Sequence, residues 1–133
     1  MFLLVDSTVW IDYFNGAHTP GTDYLDRALG WRFLGVGDLI LAEVLDGYLD
    51  ERERELAEDA LSRFRRVQIG GFDLARKAAR NARILRAKGL PPPSTLECLI
   101  ATFAIENNWH LLHSSPGYEP FVGHLGLKVP ALG

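Results

Sequence analysis

Residues 2–13 read Phe-Leu-Leu-Val-Asp-Ser-Thr-Val-Trp-Ile-Asp-Tyr, and this stretch decides the fold. Its four leading apolar residues predict a short strand that is buried on both faces. The strand ends on Asp6, after which Ser7 or Thr8 offers an N-cap for an amphipathic helix. Because ligands of open α/β sheets bind beyond the carboxyl ends of parallel strands, Asp6 is a candidate functional residue. Capping of the following helix is the alternative role for its carboxylate.

Length and composition favour one domain. A chain of 133 residues with 47% hydrophobic content can bury one core, so residues 1–133 are expected to form a single domain. The sequence contains neither a membrane-spanning apolar run nor the start of a signal peptide, which predicts a cytoplasmic protein. The lone cysteine, Cys98, is expected to be a small buried hydrophobic residue. The net charge of -3 argues against a wholly basic surface for nucleic acid.

Strand and helix patterns alternate along the rest of the chain. Strands are predicted at about residues 33–36, 67–69 and 110–113, with a short final strand at 127–129. Helices are predicted at about residues 23–29, 38–49, 50–64, 72–88 and 94–107, and the prolines at 91–93 stop the helix before them. This alternation predicts an α/β fold, a three-layer α/β/α sandwich around a central, mostly parallel sheet.

Three acids stand where strand or helix ends could direct them at one place: Asp6, Glu43 and Glu97. Converging carboxylates repel one another, and a bound cation offsets that repulsion. Oxygen ligands alone suit Mg²⁺ or Mn²⁺. Other roles stay open, since Glu97 also completes a capping box with Ser94, and Glu43, if buried, would need an arginine partner. Asp46 shares a face with Glu43 and is expected to be solvated.

The predicted helix at residues 72–88 is strongly basic. Arg76, Arg80 and Arg83 lie on one face at helical spacing, and that face could contact a phosphate backbone. The alternative is a solvated face that the acid-rich helix before it neutralises. Spacing alone leaves both possibilities open.

Other chemistry is not indicated by the sequence. It contains no glycine-rich phosphate loop and no cysteine and histidine spacing typical of zinc. No partners for a nucleophilic cysteine are evident. Structural roles are therefore expected for His110, His113 and His124.

Taken together, four segments resemble the PIN-domain ribonucleases, specifically the VapC-type toxins of bacterial toxin–antitoxin pairs. The segments are residues 5–13, 38–47, 97–102 and 111–113. The resemblance implies an α/β/α sandwich whose acidic pocket binds Mg²⁺, or alternatively Mn²⁺, and cleaves RNA. Asp6 matches the first acid of the family and Glu43 the second. Glu97 matches the third, which is usually aspartate, and the resemblance implies Asp6 and Glu97 as metal ligands.

The last segment departs from the family pattern. Where such toxins usually read His-x-Asp-x-Asp-Phe, residues 113–118 read His-Ser-Ser-Pro-Gly-Tyr, so Ser115 and Gly117 replace both late aspartates. Ser115 can still offer a neutral oxygen, which completes a predicted catalytic set with the three acids. The predicted function is a metal-dependent endoribonuclease toxin. The alternative is a catalytically degenerate PIN domain that binds antitoxin or RNA without cleaving.

The resemblance also implies partners. A cognate antitoxin is expected to dock on an apolar surface and to place an arginine in the acidic pocket. The expected docking residues are Trp10, Tyr13, Phe14, Leu45 and Tyr48. Arg76, Arg80 and Arg83 would position RNA substrate, and a homodimer is expected.

Overall fold

A four-stranded parallel sheet forms the centre of the molecule in the computed structural model, which describes residues 1–31, 33–91 and 93–132. The strands are β1 (Leu3–Val5), β2 (Leu34–Gly37), β3 (Arg65–Val67) and β4 (His110–Leu112), in the spatial order β3-β2-β1-β4. In register, Leu3 of β1 pairs with Leu34 of β2 and with His110 of β4. The three residues of β1 are fully buried, as their uninterrupted apolar sequence predicts for a strand with neighbours on both sides.

Helices surround this sheet in the described chain. Their bounds are α1 (Ser7–Phe14), α2 (Pro20–Ala28), α3 (Asp38–Asp46), α4 (Glu51–Leu61), α5 (Phe72–Ala87), α6 (Thr95–Asn107) and α7 (Glu119–His124), with a 3₁₀ turn at Pro116–Tyr118. Helix α5 packs on α6, whereas α1 contacts α2 and α3, and α3 contacts α4. The α/β prediction is confirmed, with every strand pair in the described residues parallel.

The predicted third strand at 67–69 is wrong by two residues. Strand β3 ends at Val67, and Ile69 has left the sheet to become a buried plug. Its backbone N–H donates to Asp38 Oδ1 at 2.7 Å, and its side chain fills the space that a Cβ at Gly37 would occupy. Ile69 is apolar because it is buried against β2 and α3, and not because it pairs in the sheet.

Several predicted helix bounds and faces also need correction. Helix α2 begins three residues earlier than predicted, because Thr19 and Thr22 form a reciprocal capping box and Pro20 occupies the first helical position. Helix α3 ends at Asp46, which leaves Leu49 fully exposed. Helix α4 ends at Leu61, three residues before the predicted end, and its Leu56 is 61% exposed.

The carboxyl-terminal region differs most from the prediction. The 3₁₀ turn and α7 were not expected, and they insert the fully buried Tyr118 and Phe121 into the core. Of the predicted last strand, a single bridge between Lys128 and His110 forms. The predicted helix stop at residues 91–93 includes Pro92, which lies outside the described residues, and α5 ends at Ala87 before it. No helix in the described ranges combines the length and the hydrophobicity needed to cross a bilayer.

Candidate active site

Asp6 lies at the carboxyl end of the central strand β1. Its backbone N–H donates to Leu112 O at 2.9 Å, which continues the pairing of β1 with β4. It occupies the N-cap position of α1, yet its side chain makes no capping hydrogen bond. Instead, Asp6 Oδ1 accepts a hydrogen bond from the phenol of Tyr118 at 3.2 Å. The carboxylate therefore contacts the buried phenol of Tyr118 instead of capping α1.

Burial and neighbouring charge favour the neutral form of Asp6. Its pKa is raised from 3.8 to about 6, chiefly by burial, with further increases from the negative charges of Glu43 and Glu97. Hydrogen bonding from the Ser7 amide and from Tyr118 lowers the pKa and limits the rise. The three predicted acids thus converge closely enough to influence one another. A carboxyl group with this pKa is typical of functional sites.

Glu43 reaches the site from α3, which starts directly after strand β2. Its Oε1 accepts a hydrogen bond of 3.0 Å from Ser7 Oγ. Ser7 is the first helical residue of α1 and not a cap, so the prediction of a Ser7 or Thr8 cap is wrong. Within the described chain, Glu43 has no arginine partner, which rules out the predicted pairing alternative. Asp46 is exposed, as expected.

Glu97 combines the two roles that its sequence position allowed. Its Oε1 accepts from the backbone N–H and the hydroxyl of Ser94, both at 3.4 Å, so the capping box is present. Its Oε2 accepts a hydrogen bond of 2.7 Å from Ser115 Oγ. The same carboxylate raises the pKa of Asp6, so capping α6 does not withdraw it from the site.

The turn after β4 supplies the remaining side chains. Ser115 Oγ accepts from the Gly117 N–H at 3.2 Å, and the Ser115 N–H donates to His113 Nδ1 at 3.2 Å. Burial lowers the pKa of His113, which suits a neutral ring that accepts this hydrogen bond. The His113 ring packs against Tyr118 with centroids 4.7 Å apart. The predicted structural role of His113 therefore consists of shaping this turn.

Tyr118 is the site residue that sequence reasoning missed. It is fully buried, and burial together with the charge of Asp6 raises its pKa far above the ordinary value, so the phenol remains a hydrogen-bond donor. Its position is the last of the late segment, where the family pattern has phenylalanine. That substitution of Tyr for Phe is the signal that could have identified it.

The donor atoms of the three acids determine which metal ion could bind here. Asp6, Glu43 and Glu97 offer oxygen atoms alone, which Mg²⁺ prefers, and the raised pKa of Asp6 reflects a site that a cation would stabilise. Within residues 1–31, 33–91 and 93–132, no group of three or more His, Cys, Asp or Glu side chains is placed to hold a metal ion. An ion at this site would therefore have at most two of these carboxylates as direct ligands, and water would complete its shell, as is common for Mg²⁺.

The basic face of α5 is exposed, and among the described residues no ion pair joins it to the acid-rich helix α4. Arg76 pairs with Asp73 of the same helix at 3.6 Å, and Lys77 contacts Asp73 and Glu106. In the described part of the chain, Arg80 and Arg83 make no ion pair. Contact of this face with RNA stays a prediction.

The residues predicted for antitoxin docking do not all lie at the surface. Trp10 is 1% exposed and belongs to the core, although it lines the floor of a groove of about 530 Å³ together with Tyr13 and Phe14. Tyr48 lines a neighbouring cavity that it shares with Phe14. Leu45 is half-buried on α3. Partner binding at these residues stays a prediction.

The remaining cysteine and histidine predictions concern residues away from the acids. Cys98 is 4% exposed and burial raises the pKa of its thiol, which confirms a small buried hydrophobic residue. His110 lies in β4 and His124 at the exposed end of α7. In the part of the chain that the structure describes, neither joins a group of metal ligands.

Comparison with known proteins finds relatives by structure alone. No family model matches the sequence, and no curated protein matches it. The fold is similar to the DNA-bound VapBC of Salmonella typhimurium, with a TM-score of 0.75 and 14% identity over 100% of this chain and 99% of that chain. For VapBC2 of Rickettsia felis, bound to a promoter DNA fragment, the TM-score is 0.73 with 18% identity over 98% of both chains. Mycobacterium tuberculosis VapC20, described as a toxin that cleaves the sarcin-ricin loop, gives 0.64 with 12% identity over 92% of this chain and 95% of that chain.

These similarities define the fold class as PIN-like α/β. The three structures named above, each matched over 92% or more of both chains, are a VapC toxin and two VapBC complexes. At identities of 12–18% the likeness establishes the fold, and the activity must be argued from the site.

Proposed function

We propose that this protein is a metal-dependent endoribonuclease toxin of a toxin–antitoxin pair. The observation that carries the proposal is the buried Asp6 at the carboxyl end of β1, with its pKa raised to about 6 by burial and by Glu43 and Glu97. A PIN-like fold positions such acids at the edge of its sheet, where ligands of open α/β sheets bind. RNA as the substrate would place the activity in the cytoplasm.

Each acid has a distinct role in this proposal. Asp6 and Glu97 would hold Mg²⁺, or Mn²⁺ in its place, and Glu43 would accept the proton that hydrolysis releases. When bound, the ion would make a water molecule nucleophilic and neutralise charge on the scissile phosphate. Ser7 orients Glu43, and Tyr118 holds the carboxylate of Asp6.

Ser115 orients Glu97, and the basic face of α5 would hold the RNA. The hydrogen bond from Ser115 fixes one Glu97 oxygen while Ser94 fixes the other. Arg76, Arg80 and Arg83 are exposed on α5 and carry the positive charge that a phosphate backbone needs. The substrate would then lie between this helix and the acids.

A cognate antitoxin and a second copy of the chain are the proposed protein partners. Similar structures include toxin–antitoxin complexes from several bacteria, which supports an antitoxin for this chain. The groove lined by Trp10, Tyr13 and Phe14 offers apolar surface for it, and Tyr48 lines a neighbouring cavity. Leu45, half-buried on α3, is proposed as part of the same docking surface. Homodimerisation rests on the family resemblance.

Cleavage of RNA by the purified, antitoxin-free protein tests the enzymatic proposal. Activity is expected with Mg²⁺ and with Mn²⁺, and should fall to background with EDTA or in Asp6→Asn. Asp46→Asn is the matched control, because Asp46 is an exposed acid on the same helix as Glu43 and should be dispensable. Cleavage that survives both EDTA and Asp6→Asn would show that another site or a contaminating nuclease is responsible.

A catalytically degenerate PIN domain is the second candidate function. The hydrogen bonds favour it, because Asp6, Glu43 and Glu97 each already accept from a hydroxyl group of the chain. Internal donors of this kind can satisfy an acidic pocket without a cation. A protein that binds antitoxin or RNA and cleaves nothing with either metal would establish this candidate over the first.

A further inference from the structure

Gly117 and Glu97 compete for one small volume beside the acids. A Cβ placed on Gly117 would lie 3.0 Å from Glu97 Oε1 and 3.2 Å from Glu97 Oε2. It would also lie 3.2 Å from the Cβ of Pro93. These separations are shorter than ordinary van der Waals contacts, so the Glu97 carboxylate fills the space that a side chain at position 117 would need.

The backbone at position 117 does not itself require glycine. Gly117 lies in the 3₁₀ turn, and its φ is not among the positive values recorded for Gly16, Gly70, Gly71, Gly89 and Gly126. An L-residue could adopt this conformation without strain. The neighbouring side chains, and Glu97 above all, therefore determine whether a larger residue fits.

Glu97 is also held firmly in that volume. Ser115 donates to Oε2 at 2.7 Å from the side of the turn, and Ser94 donates to Oε1 from the side of α6. The Gly117 N–H in turn donates to Ser115 Oγ, which ties the hydroxyl to the turn. The carboxylate consequently has little freedom to move aside for a new side chain.

We propose that in this chain, where position 97 is the longer glutamate, positions 97 and 117 are alternative sources of a single carboxylate at this point of the site. In this chain Glu97 supplies it from α6, and Ser115 is the positioning residue that holds it there. Adding an aspartate at 117 would therefore not add a ligand, because its carboxylate would meet Glu97 in the same space and repel it. The inference rests on the proposed function only where it treats this carboxylate as part of a divalent metal site.

The spatial part of the inference is tested by unfolding, without any metal. Gly117→Ala should lower the urea midpoint of the otherwise unchanged protein and should have a smaller effect in a Glu97→Ala background. In Glu97→Gln, which keeps the size of the side chain, Gly117→Ala should cost as much as in the natural sequence. Gly123→Ala is the control, since nothing lies within 4 Å of a Cβ there. Equal effects of Gly117→Ala in all three backgrounds would overturn the proposal.

The ligand part is tested by calorimetric titration with Mn²⁺. Glu97→Ala should weaken binding at least tenfold, and Gly117→Asp added to Glu97→Ala should recover most of the loss. Gly117→Asp alone should bring no gain. If Gly117→Asp alone tightens Mn²⁺ binding as much as it does beside Glu97→Ala, the two positions act independently and the proposal fails.

A positioning role for Ser115 predicts a graded result in the same titration. Ser115→Ala should weaken Mn²⁺ binding several-fold, whereas Ser115→Thr, which keeps the hydroxyl, should restore it. Identical binding by Ser115→Ala and the natural protein would remove Ser115 from the proposal. If the natural protein binds no Mn²⁺ at all, the proposed metal-dependent function fails, and the unfolding series alone decides whether positions 97 and 117 exclude each other.

Discussion

The phenol of Tyr118 donates a hydrogen bond of 3.2 Å to Asp6 Oδ1 across a separation of 112 residues. Both residues are buried, so this contact joins the end of β1 to the turn after β4 inside the protein. Desolvation raises the pKa of Asp6, and the hydrogen bond opposes that rise. The contact thereby tunes the acid on which the proposed activity depends.

Replacing Tyr118 with phenylalanine should change both stability and the titration of Asp6. Loss of a buried hydrogen bond costs about 1 kcal/mol of unfolding free energy, and somewhat more where the acceptor is charged. The pKa of Asp6 should move above 6, because the phenol favours the carboxylate form. Urea unfolding and an NMR titration of the Asp6 carboxyl carbon measure the two effects. An unchanged Asp6 pKa in Tyr118→Phe would contradict this assignment.

Stability should depend on pH through Asp6. Because the pKa of Asp6 is about 6 in the folded protein and 3.8 is its ordinary value, the folded state binds the proton more tightly. The stability contributed by that proton is fully present below pH 4 and is lost as pH rises through 6. The two pKa values correspond to a loss of about 3 kcal/mol between these limits. Unfolding free energies at several pH values between 4 and 7 measure it.

Asp6→Asn should remove this pH dependence and stabilise the protein at pH 7. The amide is neutral at every pH, so the cost of a buried charge disappears while the side-chain shape is kept. The exposed Asp46→Asn should leave the pH profile unchanged. Parallel profiles for the natural protein and Asp6→Asn would mean that another group titrates in this range.

The sequence indicated the three acids and Ser115, but not the hydrogen bonds that hold the acids in place. Asp6 follows strand β1, Glu97 lies in the first turn of α6 and Glu43 in the second turn of α3, and local patterns predict these elements well. Their hydrogen-bond partners lie far away in the chain: Tyr118 is 112 residues from Asp6, Ser7 is 36 residues from Glu43, and Ser115 is 18 residues from Glu97. No local pattern encodes such pairings. Long-range packing also decides which residues of an apolar run pair in a sheet and which leave it. Ile69 illustrates this, because it serves as a plug beneath Gly37 rather than as a strand residue.

Gly37→Ala tests that packing directly. An alanine Cβ would collide with the end of the Ile69 side chain, and overpacking of this kind typically costs about 1–3 kcal/mol. Adding Ile69→Val removes the Cδ1 atom that causes the closest contact and should recover part of the loss. Gly123→Ala, with open space around it, should be nearly neutral. Chemical unfolding of these three variants and of Ile69→Val alone decides the matter. If Gly37→Ala costs as much in the Ile69→Val background as in the natural sequence, Ile69 does not fill the space beside Gly37.

Mg²⁺ should stabilise the folded protein at pH 7 in a way that requires Asp6. An ion that binds the native state alone adds about 2.7 kcal/mol at a concentration of 100 times its dissociation constant. Asp6→Asn should show no such gain, because the central carboxylate is gone. Thermal unfolding with and without Mg²⁺ measures the shift in the midpoint. A similar shift in both proteins would place the ion elsewhere on the acidic surface.

Arg80 and Arg83 should contribute to RNA affinity mainly through phosphate contacts. Both are exposed, and within the described residues neither makes an ion pair, so their charges are available to a ligand. Each lost contact to single-stranded RNA should reduce the slope of log affinity against log salt by about 0.7, which gives a change of about 1.4 for Arg80→Ala/Arg83→Ala. Binding is best measured in the Asp6→Asn background, where the RNA should stay intact. Arg63→Ala is the control, because Arg63 is also exposed but lies in the turn after α4 and pairs with Asp59. A salt slope that Arg63→Ala lowers as much as the α5 double variant would mean that RNA binds by overall charge and not along α5.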